Sequence, residues 1–391
     1  MPAPKVYTDI YRLLSRHVES GIGYYTLERL ALLSLGVIES GSAAPAQIAK
    51  ALEGLHLSDA KPESIERRVR RIENDAKVTA VSCLHPLVRD YLERDRPPEV
   101  ILILDPTTKE DQIVMLAATI WYRGRVLPVA WDIWPGNKPL TGSGFWVHVE
   151  GVLAEVASVL PAGTSVICLA DRAFGSPAFI DLLSRYGWHY VLRVQGQTVC
   201  QDTQGRECTV RQLVQKPGQR TKLRGKVFKK RGWRECSVVV YWGEGHQSPL
   251  CLVSDLPPKW ELIKLYRRRY PIEAGFRHYK SYGWHWEQSQ VQKLAHMERL
   301  LVALALATWI AVLVGTQVAD EVVAAIVPGR SLRSPWAAKD SLFSLGLQRL
   351  KKAIHSVLPV RLQWDLRWQP TNWQQQLRNY IGRAYLIGLP I

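Results

Sequence analysis

The chain has 391 residues, 47% hydrophobic and 22% charged, so it can build a sizeable core and is not a disordered or low-complexity polypeptide. Lys and Arg total 51 against 35 Asp and Glu, a formal net charge of +16. That excess favours a polyanionic partner, because each phosphate neutralised releases condensed counterions; the plainer account is a charge that only aids solubility. The six cysteines, Cys83, Cys168, Cys200, Cys208, Cys236 and Cys251, include no C-x-x-C pair. This argues against structural zinc or a disulfide framework and for reduced thiols in the cytosol. The start MPAPKVYTDIYRLL has no apolar core of a signal peptide, and the apolar run 300–314 is short for a membrane span. A cytoplasmic protein without a membrane partner is expected.

Residues 1–95 read as a helical unit, with segments at 26–39, 44–53 and 64–74. In SIERRVRRIEN, Ile65, Val69 and Ile72 share one face while Arg67, Arg68, Arg70 and Arg71 cover the rest. A short helix, a turn and a basic helix is how a helix-turn-helix offers its second helix to the major groove; a helical bundle with a solvated basic face fits equally well. From residue 96 the period changes. EVILILD, QIVMLAATIWYRG and RVLPVAWDIWPG read as three strands joined by tight turns. A helix over 143–160, the strand TSVICLAD, a helix over 176–186 and the strand WHYVLRVQG complete a mixed α/β sheet over 96–197.

Residues 198–258 are strand-like and glycine-spotted, a β-rich insertion. Between Lys216 and Arg234 lie nine basic residues, including Lys229, Lys230 and Arg231, with no acid and with Phe228 and Trp233 interleaved. Such a segment can track a phosphate backbone and stack an unpaired base, although a lysine-rich hairpin edge also needs only solvent. Residues 259–325 return to helix, with 299–314 as a buried core helix, and 326–391 read as a C-terminal helical region whose Trp364, Trp368 and Trp373 suit packing.

Two acids end buried strands. Asp105 closes EVILILD and Asp171 closes TSVICLAD. Alone, Asp105 reads as a turn residue before Pro106, and Asp171 as a helix cap. If their strands are neighbours, the carboxylates meet at one edge of the sheet and repel unless a cation sits between them, and all-oxygen ligands favour Mg²⁺. Asp132 competes for either place. A third acid lies in KLYRRRYPIEAGFRHYK, where Tyr266, Arg269, Glu273 and Lys280 fall within roughly 60° of one another on a helix. One face then presents a hydroxyl, a guanidinium, a carboxylate and an ammonium, suited to phosphate and metal together. The plainer reading is an Arg269–Glu273 pair on a surface helix. Pro271 is expected to open the helix carrying Glu273 and Lys280, leaving Tyr266 and Arg269 before it.

The spacing Tyr-x2-Arg-x3-Glu-x6-Lys resembles the signature of the bacterial insertion-sequence transposases of family four, a branch of the DDE transposases. LADRAFGS resembles their second-Asp motif and EVILILDPTT their first-Asp strand, so the resemblance covers about residues 99–290. It implies an RNase H-like mixed sheet flanked by helices, with a β-rich insertion and an N-terminal helical domain for DNA binding. It further implies that Asp105, Asp171 and Glu273 bind two Mg²⁺ ions, replaceable by Mn²⁺, and cut transposon ends before strand transfer into target DNA. Tyr266, Arg269 and Lys280 would contact DNA near the cut, and Trp233 or Trp242 would stack on a flipped base. The resemblance implies terminal-repeat and target DNA as partners, a homodimer in the DNA complex, and a bacterial, nucleoid-associated protein. The rival readings are another RNase H-like nuclease and a domesticated DNA-binding protein without catalysis.

Overall fold

The computed structural model describes residues 2–57, 60–138, 140, 142, 144–325, 340–356, 360, 362 and 366–369. Four helices come first: α1 (Pro2–His17), α2 (Tyr24–Ser40), α3 (Pro45–Gly54) and α4 (Pro62–Glu73). On α4 the expected stripe is buried, with Ile65, Val69 and Ile72 at 4% exposure or less, and Arg67, Arg68, Arg70 and Arg71 face solvent. α5 (His85–Asp95) leads into the meander β1 (Val100–Lys109), β2 (Ile113–Tyr122) and β3 (Arg125–Pro135). Arg123 and Gly124 both take positive φ, 47° and 86°, between β2 and β3. That is the two-residue turn whose twist matches a hairpin, and glycine supplies the second position without strain.

α6 (Gly144–Val159), β4 (Val166–Ala170), α7 (Pro177–Arg185) and β5 (His189–Arg193) follow. β4 pairs parallel to β1, and β5 parallel to β4. Next come β6 (Val199–Gln201), β7 (Glu207–Thr209), β8 (Arg220–Val227), β9 (Arg234–Tyr241) and β10 (Leu250–Ser254). These strands do not form a separate sheet. β10 returns to pair antiparallel with β5, and the single ten-stranded sheet runs β3-β2-β1-β4-β5-β10-β9-β8-β6-β7.

α8 (Glu261–Tyr266) and α9 (Pro271–Arg277) lie on one face of the sheet, while α6 packs beneath β2 and β3 on the other. α10 (Leu294–Ala325) is apolar and long enough to cross a bilayer, but residues 300–314 are buried in the largest core. α11 (Leu342–His355) crosses it where Gly315 meets Gly346. A Cβ at either glycine would stand 1.7 Å from a carbonyl of the facing helix, so only hydrogen fits there. The helices of residues 1–95 share this core with α10 and the sheet. Trp364 and Trp373 lie outside the described residues; the backbone amide of Trp368 donates to Asp95.

Candidate functional site

Strand register places two of the acids. Ile101 and Ile103 on β1, and Ile167 and Leu169 on β4, pack with Leu262, Ile263, Tyr266 and Ile272 beneath α8 and α9. Side chains alternate along a strand, so Asp105 and Asp171, two residues further on, emerge on that same face. The last parallel pair is Leu104 opposite Ala170, one step before both acids. β1 does not end at Asp105, as the Asp-Pro-Thr run had suggested. It continues to Lys109 because β2 keeps pairing with it, through Lys109 opposite Ile113. Asp105 instead marks where β1 and β4 part. Asp171 does follow the end of its strand, and its Oδ1 accepts from the Arg172 amide at 2.6 Å, so the capping role is present as well.

Asp132 falls on the other face. Its neighbour Trp131 shares the Ala117 side with Ile272 and Gly275, whereas Asp132 accepts a 2.7 Å hydrogen bond from His148 Nδ1 of α6. Strand alternation removes it from competition with Asp105 and Asp171.

The third acid arrives on α9. Leu262, Ile263, Tyr266, Arg269 and Ile272 are all buried, a stripe at three-to-four-residue spacing that draws the whole segment onto the sheet as helix. Pro271 opens α9 as expected, but Tyr266 and Arg269 do not precede the helical path. Tyr266 ends α8, residues 267–269 make a tight 3₁₀ turn, and Tyr270 keeps helical angles of φ −54° and ψ −33°. The fixed φ of proline already suits a helix, so the helical path continues through it.

Arg269 sits on the buried stripe, 6% exposed, and meets all three acids. Its Nη2 lies 2.8 Å from Asp105 Oδ2 and 3.7 Å from Asp171 Oδ2, and its Nη1 lies 3.4 Å from Glu273 Oε1. Three carboxylates far apart in sequence therefore converge on one guanidinium. Asp105 is the most enclosed, with its side chain 13% exposed against 30% for Asp171 and 61% for Glu273. Burial pushes the Asp105 carboxyl up to about 6; Arg269 draws it back, and Asp171 and Glu273 push it further up. Burial opposes the charge on Arg269, but the field of Asp105, Tyr266 and Asp171 prevails and raises its pKa.

Other expected residues land differently. Tyr266 is 1% exposed rather than presented to a ligand, and its hydroxyl has no hydrogen-bond partner among the described residues. Burial raises its pKa. Lys280 stands in a wider π-type turn over 278–282 and pairs with Glu287 at 3.6 Å. Trp242 is 8% exposed, donates to the His246 carbonyl at 2.8 Å and carries the Arg211 guanidinium 4.8 Å above its ring, so packing holds it. Trp233 is half-buried in the β8–β9 hairpin, where Lys229, Lys230 and Arg231 form the exposed tip and Lys229 pairs with Glu207; Phe228 is buried.

One residue of the site was not anticipated. Leu192 pairs with Ala170, so Arg193 follows beside Asp171, and its Nη1 lies 3.9 Å from Asp171 Oδ1. No motif in the sequence marked it, because its level beside Asp171 follows only from strand register. Beside Asp171 a cleft of about 380 Å³ opens between Arg172, Gln195, Gln197 and the tip residues Lys229, Lys230 and Arg231.

A donor set of three carboxylates, with Asp105 pushed up to about 6 chiefly by burial, suits a hard divalent cation. The three acids surround Arg269, and among the described residues no three His, Cys, Asp or Glu side chains gather closely enough to hold an ion.

Residues 148–310 match the family model described as a transposase DDE domain. The match takes in Asp171, Arg269 and Glu273 and begins after Asp105. No curated protein matches the chain.

Proposed function

We propose that the chain is a DNA transposase, whose Asp105, Asp171 and Glu273 carry out metal-dependent phosphoryl transfer on an RNase H-like core. The match to a transposase DDE domain supports transposase function in general. The observation that carries the finer reading is the convergence of three sequence-distant acids on Arg269 at one sheet edge. The strand order β3-β2-β1-β4-β5, antiparallel across the first three and parallel from β1 to β5, supports the RNase H-like assignment.

In this reading Asp105, Asp171 and Glu273 hold divalent cations, two by family resemblance, with Mg²⁺ favoured by the all-oxygen set. When bound, these supply activation of the attacking hydroxyl and charge neutralisation at the leaving oxygen. Asp105 and Asp171 are fixed by two paired strands, so their spacing varies little. Glu273 is the exposed member and closes the set from the helix. Arg193 and Arg269 lie where a phosphodiester would accept charge-assisted hydrogen bonds. The basic hairpin tip and the arginines of α4 provide further phosphate contacts that position DNA without reading sequence. Two transposon ends must be joined, so the working assembly is a dimer on terminal-repeat and target DNA in the cytoplasm.

Glu273→Gln tests the reading. It keeps the size of the side chain and removes a charged ligand. DNA binding should stay within twofold or so, while cleavage in Mg²⁺ should fall by roughly a hundredfold or more, the scale of losing one group that stabilises transition-state charge. Cleavage at the wild-type rate would remove Glu273 from the mechanism. A paired-end strand-transfer assay on the wild type separates a transposase from another nuclease of the same fold, and wild-type protein that binds DNA yet never cuts would favour the catalytically silent binder.

A further inference from the structure

We infer that Arg269 is an internal counter-ion: it keeps the three acids closed in the DNA-free protein and gives way when DNA and a divalent cation load together. The inference rests on the reading of Asp105, Asp171 and Glu273 as the acids that hold the cation. Arg269 reaches all three at 2.8, 3.7 and 3.4 Å, and it does so from a buried position, 6% exposed, that leaves water little share of the contact. Two of its contacts fall on the same nitrogen, Nη2, so the aspartate oxygens that a cation would use are turned towards the guanidinium.

A guanidinium stays protonated at any working pH, so it competes for these oxygens permanently. It is also a planar fork, wider than a metal ion, which accounts for acids that surround it without closing to ion-binding distance. The acids cannot serve both cations fully. A divalent ion must displace Arg269 from at least one carboxylate, and a displaced, buried guanidinium needs another anion.

A phosphodiester is the anion such a fork fits. The surroundings favour the exchange. Arg269 Nε and the Tyr266 hydroxyl are both buried without a partner among the described residues, so the closed arrangement leaves two polar groups unsatisfied. Transferring the guanidinium to a phosphate oxygen frees the acids and brings those groups towards an acceptor. DNA and cation binding are then linked, each strengthening the other by the same factor. The device would keep the acids from recruiting a cation before DNA is in place.

The test is Mn²⁺ binding to the full chain without DNA, read from the electron paramagnetic resonance of free Mn²⁺. Arg269→Gln should bind Mn²⁺ at least about fivefold more tightly than wild type, the lower end of measured site-to-site couplings. Asp105→Asn added to R269Q should lose that binding. If R269Q binds no more tightly than wild type, the counter-ion inference fails. If R269Q binds more tightly and the R269Q, D105N double variant binds just as tightly, the ion sits elsewhere, the cation reading of the acids fails and the inference falls with it. Should circular dichroism show R269Q unfolded, the comparison is made on Arg269→Lys. Lysine keeps the charge but lacks the fork, so tighter Mn²⁺ binding is again expected, and unchanged binding again overturns the inference.

Discussion

Asp105 shows how a candidate catalytic side chain acts against the stability of the fold that holds it. Its proton is held more tightly in the folded protein, at about 6, than at the ordinary 3.8 of a free aspartate, chiefly because it is buried. Folding therefore takes up a proton between about pH 4 and pH 6. The sign follows: this group's unfavourable contribution is absent below the lower value, grows as pH rises, and is complete above the upper one. Each tenfold in proton affinity is worth about 1.4 kcal/mol, so the full cost is of order 3 kcal/mol. Asn cannot ionise and nearly matches Asp in shape. We expect Asp105→Asn to melt several degrees higher than wild type at pH 7.5, with the gain gone at pH 4. A variant that melts lower at pH 7.5 would mean that the Arg269 ion pair outweighs the burial. Asp105 and Asp171 were legible in the sequence because an acid closing an apolar β-branched run is a visible break in pattern. Arg193 was not, since one arginine at a strand end carries no signal until register sets it beside Asp171.

At the scale of elements, α9 delivers Glu273 only if it lies close to the sheet, and Gly275 permits that. A Cβ at Gly275 would stand 2.6 Å from Cγ2 of Val126, at the start of β3. Val126 is 8% exposed and β-branched, so its methyl group cannot swing clear cheaply. Gly275→Ala should lift α9 by roughly 0.8 Å, the step from 2.6 Å to an ordinary 3.4 Å contact, and displace Glu273, two residues earlier, relative to Asp105. Cleavage should then fall by about tenfold or more, since small misplacements near reacting groups cost on that order. Val126→Ala in the same chain should restore most of the rate by making room. If the double variant is no better than G275A alone, the defect lies elsewhere than this contact. The spacing Tyr266, Arg269, Glu273 gave the helix in advance, but its continuity through Pro271 did not follow. A proline preceded by helical residues reads as a stop, and only the buried stripe from Leu262 to Ile272 shows why the path continues. The widened turn that carries Lys280 was equally hidden, because such a turn leaves no trace in residue spacing.

The whole molecule places charge in line with the acids. Arg193 on β5 pairs with Leu252, Leu252 with Val239, and Val239 with Lys222 on β8. Residues facing each other across strands share a face, so Lys222, and with it Arg220, Arg224 and Lys226 at two-residue spacing, lie on the face that bears Asp105 and Asp171. These four side chains are exposed, although Arg220 and Lys222 also rest against Trp260 at 4.6 and 5.3 Å, and Arg224 donates to the Asp255 carbonyl. The segment 198–258 read from sequence as a β insertion within the α/β domain because its polar, glycine-spotted strands break the βα alternation. Which strand it would pair with depends on long-range register, which composition does not encode. Its strands continue the sheet that carries Asp105 and Asp171. DNA engaged by the acids should then meet Lys230 and Arg231, which line the cleft beside Arg172. Phosphate contacts report themselves in salt dependence: each one lost lowers the slope of log affinity against log salt by about 0.9. Replacing both Lys230 and Arg231 with Ala should therefore flatten the slope by roughly 2 on duplexes of any sequence, as expected for contacts that position rather than read. A filter-binding or anisotropy series across salt concentrations measures it. An unchanged slope would place the DNA path away from the hairpin and leave the cationic row of β8 or the arginines of α4 as the tracks to examine, and a loss confined to one sequence would assign the tip to reading bases instead of holding the backbone.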